Sequence, residues 1–93
     1  MRQDTAIAFL AAATEQLQLA VRLLVHNPGA ALASLEKLVA FCEEHPQHAR
    51  EWPQFEVLSE IVGAVARTGL PASLSARAAN LMCRIEDLNT KIH

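Results

Sequence analysis

The sequence predicts an all-α fold, a four-helix bundle built from two antiparallel helical hairpins. Apolar residues recur at spacings of three and four in four successive windows, which is the helical period. Prolines at 28, 46, 53 and 71 punctuate those windows. Hydrophobic residues make up 52% of the 93 residues while aromatics make up 4%, and glycine occurs three times. That mixture of Ala, Leu, Val and Ile favours helices and lacks the aromatic content and turn punctuation of a sheet protein.

Each element has a local reason to start and stop. Asp4 is placed to accept from free backbone N–H groups, so a first helix is expected at about 4–26. Asn27-Pro28-Gly29 then turns the chain, and proline suits the first turn of the next helix, expected at about 28–44. His45-Pro46 ends it, because a residue before proline is pushed out of the α region. The stretch from His45 to Trp52 is expected to be irregular, with room for one short turn. Pro53 opens a third helix, about 53–67, which stops at Gly69, and Pro71 opens a fourth, about 71–91.

The seams follow from the spacing. Helix one carries Ile7, Leu10, Thr14, Leu17, Val21 and Leu24; helix two carries Leu32, Leu35, Val39 and Cys42. Helix three carries Phe55, Leu58, Val62 and Val65; helix four carries Leu74, Ala78, Leu81, Ile85, Leu88 and Ile92. Short connections make helices one and two one hairpin, and three and four another, within a single domain of residues 1–93.

Charge and composition exclude several classes of function. The net charge is −2, the eight Lys and Arg residues are scattered, and no basic field gathers phosphates, so nucleic acid is not expected as a partner. No uninterrupted apolar run approaches the roughly 20 residues that span a bilayer. Asp4 and Glu15 interrupt the N-terminal apolar stretch, which is wrong for a signal peptide. A cytoplasmic protein without a membrane partner is expected, with Cys42 and Cys83 as free buried thiols in preference to one bridge.

Helix one departs from a plain bundle. Stepping about 100° per residue puts Ile7, Leu10, Leu17, Val21 and Leu24 on one side and Phe9, Ala12, Leu19 and Leu23 on roughly the other. Only Glu15, Gln18 and Arg22 form a polar strip, whereas a core-facing helix needs an apolar stripe of little more than 100°. Either helix one is the central helix, packed on both sides by the other three, or its second face meets another chain. Three large apolar side chains left in water would forgo roughly 1.5 to 3 kcal/mol each, which invites association. Helix four adds a small-residue stripe of Ala72, Ala76, Ala79 and Cys83, which suits either close helix approach or a plain helical surface.

Two clusters carry polar or aromatic chemistry. Cys42, His45 and His48 have spacings that suit a soft metal, but no fourth ligand is fixed by spacing, and a seam cysteine packs as a small hydrophobe. No metal and no cofactor are expected. Trp52 and Phe55, flanked by Arg50 and Glu51, either cap the end of the bundle or form an exposed recognition spot. Serines lack a glycine elbow and paired Asp and His, and glycines are too few for a phosphate loop, so no enzyme is expected. The expected function is a non-enzymatic protein-interaction module, a homodimer or self-associating adaptor, inhibitor, anti-activator or chaperone. Its expected contact residues are Phe9, Ala12, Leu19, Leu23, Trp52 and Phe55. The alternative is a ligand- or metal-binding helical module using Cys42, His45 and His48.

Overall fold

Proline and asparagine set most of the element boundaries. The computed structural model describes the backbone of residues 2–92 and the side chains of residues 7–91. Among these residues all regular structure is helical: α1 (Arg2–His26), α2 (Pro28–Glu44), α3 (Pro46–Glu51), a 3-10 turn (Pro53–Val57), α4 (Leu58–Ala66) and α5 (Ala72–Ile92). At the start of α2 the Asn27 side chain accepts from the Ala30 N–H at 3.1 Å, and Pro28 fills the position where a missing N–H is harmless. At its end the His45 N–H donates to the carbonyls of Phe41 and Cys42, at 3.1 and 3.2 Å.

Three boundaries differ from the expectation. The stretch after His45, expected to be irregular, contains a six-residue helix, α3. Pro46 presets its first turn and Ala49 is sealed in the core, so packing sustains a helix too short to stand alone. The window expected as one helix over 53–67 opens instead as a 3-10 turn, with the Phe55 N–H donating to the Trp52 carbonyl at 3.2 Å. That tighter turn accompanies the burial of both Trp52 and Phe55. Helix α1 is already helical at Arg2, ahead of the expected cap; the Asp4 side chain lies outside the described residues. Between α4 and α5, Gly69 adopts φ 78°, a left-handed conformation that glycine takes at little cost.

Residue pairings define the direction of each helix. Phe9 stacks on Phe41, and the Ser34 hydroxyl donates to the Gln16 side chain at 3.0 Å, so α1 and α2 run antiparallel. Glu36 pairs with Arg77 and Glu43 with Arg84, seven residues further along on both helices, so α2 and α5 run parallel. Helix α4 packs on α5 from the other side of a short turn and also on α2.

Helix α2 occupies the centre of the core. Ala31, Leu32, Leu35, Leu38, Val39 and Cys42 have no exposed surface, and with Ser34 they span an arc of about 160° at 100° per residue. That arc is wide because α1 covers one flank of α2 while α4 and α5 cover the other. The central helix is therefore α2, whose sequence pattern reads as ordinarily amphipathic, and α1 lies at an edge of the molecule. The dimensions agree: the Cα atoms extend 43 × 25 × 17 Å, wider in one cross-section than in the other.

Candidate functional site

The edge position of α1 decides which of its apolar residues meet the core. Those buried are Phe9, Ala13, Leu17 and Ala20, a stripe with spacings of four, four and three, with Leu23 and Leu24 packed partly against it. The small side chains of Ala13 and Ala20, both 0% exposed, lie at the α1–α2 contact. The seam expected to face the core is mostly turned outward. Ile7 is 63% exposed, and Leu10 and Val21 are exposed as well, as is the neighbouring Val25 at 81%. Only Leu17 of that seam is sealed. At 100° per residue, Ile7, Leu10, Val21 and Val25 fall within about 60° of one another, an apolar ridge in two parts, Ile7 with Leu10 and Val21 with Val25, separated by Thr14, whose hydroxyl donates to the Gln54 side chain at 3.4 Å.

The expected contact residues divide into two groups. Ala12 is exposed, Leu19 is 42% exposed and Leu23 is half-buried, on the opposite flank of the buried stripe from the ridge. Phe9, Trp52 and Phe55 are core residues, each at most 3% exposed. Phe9 is drawn in because α2 presents Phe41 at the matching antiparallel position, ring centroids 4.8 Å apart and 20° from parallel. The Trp52 ring meets Phe9 edge-on at 6.5 Å, so Trp52 closes the end of the core. Its indole Nε1–H is buried without a hydrogen-bond partner among the described residues. On α5, Ala72, Ala76, Ala79 and Cys83 all face solvent, so of the two thiols expected to be buried only Cys42 is, Cys83 lying on the side of α5 turned away from the core.

The histidines join this aromatic group. His45 lies edge-on to Phe41 at 5.2 Å, His48 lies 5.5 Å from Phe9, and the two imidazoles are 6.0 Å apart. Cys42 is sealed within the core, and burial, with a smaller contribution from Glu43, pushes its thiol up to about 12. A thiol held protonated is a poor metal ligand and a poor nucleophile. Among the described residues no three His, Cys, Asp or Glu side chains converge on a common metal position. Phe41 was missed as a functional candidate, although its position one residue before Cys42, close to His45, gave a signal of an aromatic cluster.

Two bidentate ion pairs tie α2 to α5. The Arg77 guanidinium binds the Glu36 carboxylate, and Arg84 binds Glu43, with Nε–O distances of 3.2 and 3.3 Å for the longer bond of each pair. The hydrogen bond from Arg84, with the positive fields of Arg84 and Lys91, outweighs partial burial and holds the Glu43 carboxyl below its ordinary range. The arginines are correspondingly held above theirs, chiefly by the same hydrogen bonds. These charge-assisted pairs fasten α2 to α5.

Helix α1 has a further property. From Ile7 to His26 it is long and apolar enough to cross a membrane by length and composition, with mean hydropathy 1.3 and 22% of the stretch buried. Glu15 and Arg22 lie within it, and a charged side chain near the middle of a spanning helix costs on the order of 3 kcal/mol. Compared with protein-family models, with curated proteins and with solved structures, the chain matches none.

Proposed function

We propose that this protein is a non-enzymatic interaction module that self-associates through α1. The carrying observation is the outward ridge of Ile7, Leu10, Val21 and Val25 on a helix that packs on α2 and α3 along one side. The four ridge residues expose roughly 400 Å² of apolar area per chain, within what a monomer shows in one patch. Pairing two such faces buries at most roughly 800 Å² of apolar area, less than a standard interface, so the expected dimer is a weak one. In this reading the hairpins α1–α2 and α4–α5 make a four-helix arrangement that a second copy completes over α1. The protein then works in the cytoplasm as a small adaptor or inhibitor, with the same apolar helix available for exchange with a partner protein. Glu15, inside the apolar stretch, favours a protein occupant over the bilayer interior, since the edge of a helix pair leaves a carboxylate in water.

Light scattering on the purified chain at about 100 μM tests the reading. The wild type is expected to be a dimer, and Val21→Glu with Val25→Glu is expected to be a monomer with unchanged helicity, because both positions are exposed within the chain. A wild-type monomer at that concentration overturns self-association. Sedimentation of that monomer with phosphatidylcholine vesicles would assign the ridge to a lipid surface instead.

A further inference from the structure

The junction of α1, α2 and α3 forms a notch of about 320 Å³ lined by Ala8, Phe9, Ala12, Phe41, His45 and His48. This volume lies at the lower end of the range of small-molecule sites. Phe9, 2% exposed and stacked on Phe41 at 4.8 Å, forms the floor, and the half-buried rings of Phe41, His45 and His48 form the walls. Ala8 and Ala12 stand one turn apart on α1, where their methyl groups leave open the space that larger side chains would fill. The notch lies on the Ala12 flank of α1, away from the ridge of Ile7 and Val25, so it stands independently of self-association.

We propose that the notch binds a small planar aromatic molecule bearing a hydroxyl group, of the phenol and naphthol class. Rings are the natural occupants of a space walled by three half-buried rings, because stacked and edge-on contacts add to the gain from apolar burial. The only side-chain polar atoms in the lining are the nitrogens of the two imidazoles. A neutral imidazole offers one donor and one acceptor, and a hydroxyl both donates and accepts, so it can be satisfied by either histidine in either tautomer. A carboxylate fits less well. Glu44 shares the adjoining cleft with His45 and His48, and its negative charge opposes a second one there. A ring with no polar group would cover the imidazole nitrogens without replacing their water. Cys42 takes no part, since it is sealed within the core.

The test is calorimetric titration of the full chain with 2-naphthol and, separately, with 2-naphthoate, with amide NMR shifts to locate the site. Saturable one-to-one binding of 2-naphthol is expected, with Kd about 0.1–1 mM for a ligand of this size. Shifts should centre on residues 8–12, 41, 45 and 48, and 2-naphthoate should bind at least tenfold more weakly. Ala12→Leu fills the notch and should weaken 2-naphthol at least tenfold while helicity is retained. His48→Phe keeps a ring but removes its nitrogens, and should weaken 2-naphthol about tenfold, the effect of one hydrogen bond. Absence of saturation at 5 mM, undiminished binding in folded Ala12→Leu, or 2-naphthoate binding as tightly as 2-naphthol would each overturn the proposal. Unchanged affinity in both histidine variants, His45→Phe and His48→Phe, would overturn the role of the hydroxyl.

Discussion

Replacing Phe9 by alanine separates a core anchor from an exposed contact residue. Phe9 is 2% exposed, stacks on Phe41 at 4.8 Å, and meets Trp52 edge-on at 6.5 Å. Truncating a buried phenylalanine costs about 3 to 5 kcal/mol through lost transfer energy and the cavity left behind. The lower figure applies here, because the notch beside Ala8 and Ala12 lets water reach the vacated space. The other sealed residues of α1 are Ala13, Leu17 and Ala20, so Phe9 and Leu17 supply most of the apolar burial that holds α1 to α2. A loss of about 3 kcal/mol lowers Tm by roughly 12 to 24 °C for a domain of this size. The assay is urea unfolding followed by Trp52 fluorescence and by helicity, with amide exchange reporting on α1. Leu19→Ala, at a 42% exposed position, serves as the comparison and is expected to stay within about 0.5 kcal/mol. If Phe9→Ala cost less than about 1 kcal/mol, the placement of Phe9 in the core would be refuted.

The central position of α2 predicts that Leu38→Ala costs about 2 to 5 kcal/mol, more than Leu24→Ala on α1, when both are measured by urea unfolding. The thiols should differ: Cys83 is exposed and should react promptly with a disulfide reagent at pH 8, while Cys42, pushed up to about 12, should react only on unfolding. Because native Cys42 keeps its proton where an unfolded thiol, near 9, gives it up, stability should fall as pH rises above about 9. The Glu43 carboxyl is held low by Arg84, so its stabilisation is complete above about 4.5 and is lost as pH falls through its lower folded value. Glu43→Gln should accordingly cost about 0.2 to 1 kcal/mol at pH 7 and little at pH 2 or in 1 M salt, since the pair is partly exposed.

Local chemistry explains what could be read without the fold. The all-helical class follows from the three-and-four spacing and from proline, which acts on its own residue and its immediate neighbours. The Asn27 cap and the Gly69 turn are equally local, one a side chain reaching three residues ahead and the other a single dihedral angle. The six-residue α3 was hidden because its own sequence does not sustain a helix; the burial of Ala49 and Trp52 does.

The residues of α1 taken alone show an excess of apolar surface, spread around most of the helix. Which part of it faces the core depends on the helices packed against it. Apolar area is not addressed to a partner, and the ridge of Ile7, Leu10 and Val21 is as hydrophobic as the stripe of Phe9, Ala13 and Leu17. The stripe is the one buried because α2 presents Phe41 opposite Phe9, and because alanines at 13 and 20 fit a tight helix contact. The same choice made α2 the centre, left the ridge in water, and gathered Phe9, Phe41, His45 and His48 around one notch. Contacts between residues some thirty positions apart depend on how whole helices pack, and no spacing within one helix records them.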